Sequence, residues 1–127
     1  MKLRISGNSL RLRLSQSDLA QFIEQGRVAG MIRFALQDSA TLTYAFEHNP
    51  SIATAQVRYE SQMVTVIVST QHAHTWAGTD QVGIYESIDL GQHGKLDVMI
   101  EKDFACLDGT DEQNKDTFPN PSQGAIC

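Results

Sequence analysis

Apolar and polar residues alternate along Leu10–Leu14, with Leu10, Leu12 and Leu14 set against Arg11 and Arg13. That is the period of a strand with one buried and one wetted face. Ser15 then offers a hydroxyl N-cap with Asp18 three residues on, and Leu19, Phe22 and Ile23 follow at helical spacing. The pattern predicts a strand running directly into a short amphipathic helix, about Gln16 to Gln25, stopped by Gly26. It recurs. A shift of 54 positions carries the three leucines onto Val64, Val66 and Val68, Ser15 onto Ser69, and Phe22 onto Trp76. The same shift takes Leu3 and Ile5 to Val57 and Tyr59, Val28 to Val82, and Phe34 and Leu36 to Ile88 and Leu90. Leu42, Tyr44, Phe46 and Glu47 go to Leu96, Val98, Ile100 and Glu101. Only six of the 47 aligned positions are identical, so the weight falls on the hydrophobic phase, which a one-residue slip would invert.

Taken in order, the chain reads as two ββαββ units. The first has strands at Lys2–Ser6, Leu10–Leu14, Val28–Leu36 and Thr41–Glu47, with a Gly7-Asn8-Ser9 turn after the first strand and His48-Asn49-Pro50 closing the last. The second has strands at Thr54–Glu60, Met63–Ser69, Gly83–Leu90 and Leu96–Lys102, with a weaker helix at about Gln71–Gly78. Ile67 adds an apolar residue to the opposite face of its strand, which predicts a central position in a sheet. The expected fold is therefore α+β: internally duplicated ββαββ units forming a mainly antiparallel, pseudo-two-fold sandwich or barrel-like sheet with two helices. The pseudo-repeats span about 3–49 and 57–103 of one domain covering 1–127, and each is expected to bury its apolar face against the other. Residues 104–127 form a C-terminal extension, with Phe118 and Ile126 as candidate anchors.

Composition narrows the picture. At 127 residues the chain can bury roughly two-thirds of its unfolded surface without a disulfide or metal staple. Two cysteines, Cys106 and Cys127, give no disulfide framework, and no segment has the length and apolarity of a membrane span or signal peptide. The expectation is a cytoplasmic protein with no membrane partner. The formal charge of −5 argues against a generic nucleic-acid binder, yet four of the ten basic residues lie in the first thirteen positions. The acids gather at the other end, seven of fifteen from Asp97 onward.

Candidate chemistry is sparse. Lys2, Arg4, Arg11 and Arg13 share the face opposite the leucines, around the Asn8 turn, and guanidinium forks suit oxyanions. These five residues are the candidate anion-binding site, with pairing to Asp97 and Glu101 as the plain alternative. His72 and His74 have the wrong spacing for a helical metal pair, and no CxxC accompanies them, so no metal or cofactor is expected. Asp108–Glu112 lacks the glycine and glutamate of a calcium loop. No nucleophile motif occurs, no catalytic residue is nominated, Cys106 reads as a small buried hydrophobe, and Trp76 reads as core.

Three strings carry a likeness: Arg4 to Leu14 (RISGNSLRLRL), Trp76 with Gln81-Val82-Gly83-Ile84, and Glu101 to Leu107 (EKDFACL). They resemble a family of short bacterial proteins, an uncharacterised domain of unknown function, which implies no activity or cofactor. The topology, with four strands between two helices, is also similar to whirly-like single-stranded nucleic-acid binders. That likeness is unsupported by a sequence motif, and no aromatic residue interleaves the arginines. The expected function is a non-enzymatic domain binding a small anion, phosphate or acidic protein through the basic hairpin, with homodimerisation through edge strands as a further expectation. The alternatives are a single-stranded nucleic-acid binder and an enzyme on phosphorylated small molecules whose arginines line a closed pocket.

Overall fold

A computed structural model describes residues 1–105 and 115–119. Its elements are β1 (Lys2–Ser6), β2 (Ser9–Leu14), α1 (Gln16–Gln25), β3 (Arg27–Arg33), β4 (Thr41–Asn49), β5 (Gln56–Glu60), β6 (Met63–Ser69), α2 (Thr70–Gly78), β7 (Gly83–Asp89) and β8 (Lys95–Lys102). The strands form two four-stranded sheets, ordered β1-β2-β8-β7 and β3-β4-β6-β5. The fold is α+β, and no sheet closes into a barrel. The outer pairs of each sheet are antiparallel, while both central pairs, β2–β8 and β4–β6, are parallel.

The halves do not each form a sheet of their own that packs against the other's, which was the expected way for each to bury its apolar face. Each sheet takes two strands from each half, because each helix carries the chain from one sheet to the other. α1 leads from β2 in the first sheet to β3 in the second, and α2 leads from β6 back to β7. The registers nonetheless correspond under the shift of 54. The pair Leu12–Ile100 becomes Val66–Phe46, and Leu3–Leu12 becomes Val57–Val66. One element departs from it. Ile84, not Val82, faces Ile100 as Val28 faces Phe46, so β7 sits two residues later than the shift predicts. An even displacement keeps every side chain on its face. Val82 lies outside the strand and gives its carbonyl to the Trp76 indole at 3.1 Å.

Both helices are capped from the strand that feeds them. The Ser15 hydroxyl accepts from the Asp18 amide at 3.2 Å and the Ser69 hydroxyl from His72 at 3.0 Å, and Gly26 ends α1 in the left-handed region that favours glycine. The core is one cluster drawn from both sheets and both helices. At its centre Phe22 stacks on Phe46 at 4.1 Å, and Trp76 meets both rings edge-on at 6.3 and 6.1 Å. Trp76 is fully buried, in keeping with its expected core role.

β3 stops at Arg33, short of the expected Leu36. The Phe34 amide turns to the Ala40 carbonyl at 2.7 Å, leaving Phe34 and Leu36 exposed at the hairpin tip. β4 runs two residues further than expected, to Asn49, because its parallel register with β6 continues to Ser69. The segment 115–119 docks on the body. The Gln16 amide and side chain donate to the Asp116 and Thr117 carbonyls, and Phe118 pairs with Phe104 and packs on the core. The expectations for Cys106, Asp108–Glu112, Ile126 and Cys127 fall outside the described residues. No helix among those described is long and apolar enough to cross a membrane.

Candidate anion-binding site

The site begins with the alternation in β2. Burial of Leu10, Leu12 and Leu14 turns Arg11 and Arg13 onto the outer face of the first sheet. The antiparallel register then sets Lys2 opposite Arg13 and Arg4 opposite Arg11. Directly opposed like charges destabilise a strand pair. In each pair one cation has an acid to relieve this: Lys2 Nζ lies 2.8 Å from Asp103 Oδ2, and Arg11 Nε lies 3.1 Å from Glu101 Oε1. The Arg11 Nε is an ion-pair neighbour there without the alignment of a hydrogen bond. Among the described residues no ion pair involves Arg4 or Arg13. Asp97, the other acid expected to neutralise the stripe, makes no ion pair there; its amide donates to the Asn8 carbonyl at 3.2 Å. The second sheet has no such surplus at the matching place, since Glu47 takes both Arg27 and Arg58 on its outer face.

The five expected residues do not converge. Asn8 sits at the hairpin tip, five residues along β2 from Arg13, or about 16 Å at the rise of a strand. Its amide is already engaged, donating to the Lys95 carbonyl at 2.6 Å. Lys2 and Arg13 lie at the opposite end, against the start of α1. There they line an open polar cleft of about 510 Å³ with the Met1 ammonium, Ser15, Asp103, Lys115 and Asp116. The stripe was legible in the sequence, but the cleft was not. Lys115 arrives only because Phe118 anchors its segment, and the one hint of that was an aromatic followed by Pro119 after a polar run.

The cleft holds four cationic groups and three carboxylates, Asp18, Asp103 and Asp116. Each carboxylate is engaged. Asp18 Oδ2 is 2.7 Å from the Met1 ammonium and accepts the Ser15 amide at 3.1 Å. Burial raises its pKa, but the ammonium and Ser15 outweigh this and hold it below the ordinary value. Asp103 pairs with Lys2. Asp116, exposed beside the start of α1, has its pKa lowered chiefly by hydrogen bonding to Ser17 and also to Ser15, against some desolvation and the nearby Asp18 charge. Arg13 is left as a guanidinium beside carboxylates that are all in use.

The remaining outer face of this sheet carries a residue that sequence reasoning passed over. Tyr85 is in outward phase on β7, and the row Arg4–Arg11–Met99–Tyr85 crosses all four strands. Its hydroxyl donates to Glu101 Oε2 at 2.7 Å, and Arg11 Nη2 donates to Met99 Sδ at 3.8 Å. So an aromatic does lie on the arginine face; Tyr59, on the inward phase with Val57, is 70% exposed because β5 is a sheet edge. The sequence signal for Tyr85 was its alternation with Ile84, which the two-residue displacement leaves intact. Among the histidines, His48 bonds the Thr70 hydroxyl at 2.9 Å and meets His74 edge-on at 5.6 Å. No group of three or more potential metal ligands occurs among the described residues.

The model of a family of unknown function, DUF7009, matches residues 1–122. The chain belongs to that family. No curated protein and no solved structure matches it.

Proposed function

We propose that this member of DUF7009 is a binding domain for a small oxyanion, phosphate or a phosphorylated or carboxylated ligand, held at the cleft beside α1. One observation supports the reading most: Arg13 faces an open cleft in which every carboxylate already has a partner. Lys115 supplies a second cation from the docked segment, and a guanidinium fork with an ammonium beside it suits an oxyanion. Arg13 has Lys2 opposite it on β1 and Glu101 opposite it on β8, yet it makes no ion pair among the described residues, which leaves its guanidinium available to a ligand. The site is therefore the Lys2 and Arg13 end of the basic stripe. Arg4 and Arg11 form a separate patch, and Asn8 lies outside both. Titration calorimetry with phosphate and pyrophosphate tests this. Arg13→Ala should weaken binding at least tenfold and Arg4→Ala should leave it within about twofold. Equal affinities for wild type and Arg13→Ala, or no heat from either anion, would remove the proposal.

A second reading rests on Tyr85. An aromatic in line with Arg4 and Arg11 on an open sheet face is the combination that single-stranded nucleic-acid binders use. It requires an oligonucleotide affinity falling with salt at a log–log slope of about −0.7 per phosphate, and a loss in Tyr85→Ala that phosphate binding would not share. The enzymatic alternative needs Arg11 and Arg13 inside a closed pocket, and their outer-face positions lend it no support. We also read the matching strand registers as descent from a duplicated ββαββ unit, and the low cysteine usage as fitting a reducing, cytoplasmic setting.

A further inference from the structure

The first sheet ends at β7, on the side away from the basic hairpin. Two grooves flank this free edge. One, of about 340 Å³, lies between the strand and α2 and is lined by Gln71, His72, Thr75 and Gln81. The other, of about 490 Å³, lies on the outer face and is lined by Ser9, Ser87, Asp97 and Met99. Tyr85 and Glu86 belong to both. A strand added to an open edge sends alternate side chains to opposite faces, so paired grooves on either side of one edge are the shape such a strand requires.

Charge selects the occupant. Neither groove has a lysine or arginine in its lining, while Glu86 and Asp97 contribute carboxylates. Glu86 is in inward phase on β7, opposite Val98, and no ion pair involves it among the described residues. An inward-pointing charge on an edge strand rejects an ordinary apolar strand, because pairing would strip water from an uncompensated carboxylate. The same charge admits a strand that brings a cation to that position, and such a repulsion relieved by one partner is how discrimination is built.

We propose that the β7 edge is a docking site for an extended peptide segment of a partner protein, apolar on the Tyr85 face and carrying a lysine or arginine opposite Glu86. The probe is a labelled seven-residue peptide with valine at odd positions, threonine at the second and sixth, and lysine at the fourth; its counterpart has glutamate at the fourth. Fluorescence anisotropy should show the lysine peptide binding at least tenfold more tightly, and backbone amide shifts should concentrate in Gly83–Asp89. Glu86→Gln should erase most of the preference, and Glu86→Lys should reverse it. The proposal is overturned if the two peptides bind alike or neither binds at millimolar concentration. It is likewise overturned if the shifts map to another edge, or if the edge is occupied by a second copy of the chain, seen as concentration-dependent dimers.

Discussion

At the scale of single residues, Tyr85 and Gly83 decide the outer face of the first sheet together. A methyl group on Gly83 would lie 2.6 Å from the Ile100 carbonyl and 2.9 Å from the Tyr85 ring, so the glycine makes room for the tyrosine to lie across it. From there the hydroxyl reaches Glu101, the cross-strand partner of Gly83. Burial raises the Tyr85 pKa most, the Glu101 hydrogen bond and charge add to it, and Arg11 opposes them, with a net rise to about 12. A raised pKa favours the protonated folded state, so its stabilisation is complete below the ordinary value of 10.0 and is lost as pH climbs toward 12. Absorbance titration at the phenolate band, wild type minus Tyr85→Phe, should place this group well above the ordinary value of 10.0. Glu101→Gln should return it part of the way toward 10, leaving the larger contribution of burial; an unmoved titration in Glu101→Gln would show that the carboxylate does not contribute.

At the scale of elements, the two equivalent hairpin turns are unequal. The β1–β2 turn has Gly7 at a positive φ of 56°, where glycine is at ease. The β5–β6 turn places Ser61 and Gln62 at φ of 51° and 62°, the backbone of a type I′ turn, built from residues that resist it. The turn is retained with Gln62 tied down, its carbonyl accepting from Thr43 at 2.9 Å and its side chain donating to Ser39. Replacing Ser61-Gln62 by Asn-Gly should therefore stabilise the protein by about 1 kcal/mol, read as a higher urea midpoint at unchanged slope. A fall in the midpoint would mean that the Ser39 contact outweighs the backbone strain. Both turns were legible, since each interrupts a clear alternation. The strand ends were less so. Phe34 and Leu36 carry the right apolar phase to continue β3, but the chain reverses just beyond them in a turn closed by the Ala40 amide on the Gln37 carbonyl at 3.0 Å. Apolar phase reports which face a residue would occupy, and the length of a strand is settled by its partner's.

At the scale of the molecule, what periodicity could reach and what it could not separate cleanly. The phase of Leu10, Leu12 and Leu14 and of Val64, Val66 and Val68 located the buried faces correctly, and Ser15 and Ser69 located both helix starts. Pairing between distant strands leaves no local trace, so the exchange of strands between halves was invisible, as was the two-residue offset of β7. Two of the six identities that suggested the alignment, Val28 with Val82 and Leu36 with Leu90, lie in the segment whose register disagrees with it. The cleft beside α1 failed to show for the same reason, because its lining comes from both ends of the chain.

The exchange has a mechanical consequence. The central pair of each sheet, β2–β8 and β4–β6, joins one half to the other, so a half alone retains only two separate hairpin pairs and one helix. Isolated two-stranded hairpins are marginal in water. The aromatic centre is divided as well, with Phe22 and Phe46 on one side and Trp76 on the other. Fragments 1–52 and 53–127 should each lack a cooperative unfolding transition by circular dichroism, and an equimolar mixture should recover one. The recovered transition should be concentration-dependent, and Phe22→Ala, which typically costs about 3–5 kcal/mol in a packed core, should abolish it. Cooperative unfolding of either fragment alone would show that the halves are separable after all. The present architecture admits no such outcome, because the strands each half needs beside its own are supplied only by the other.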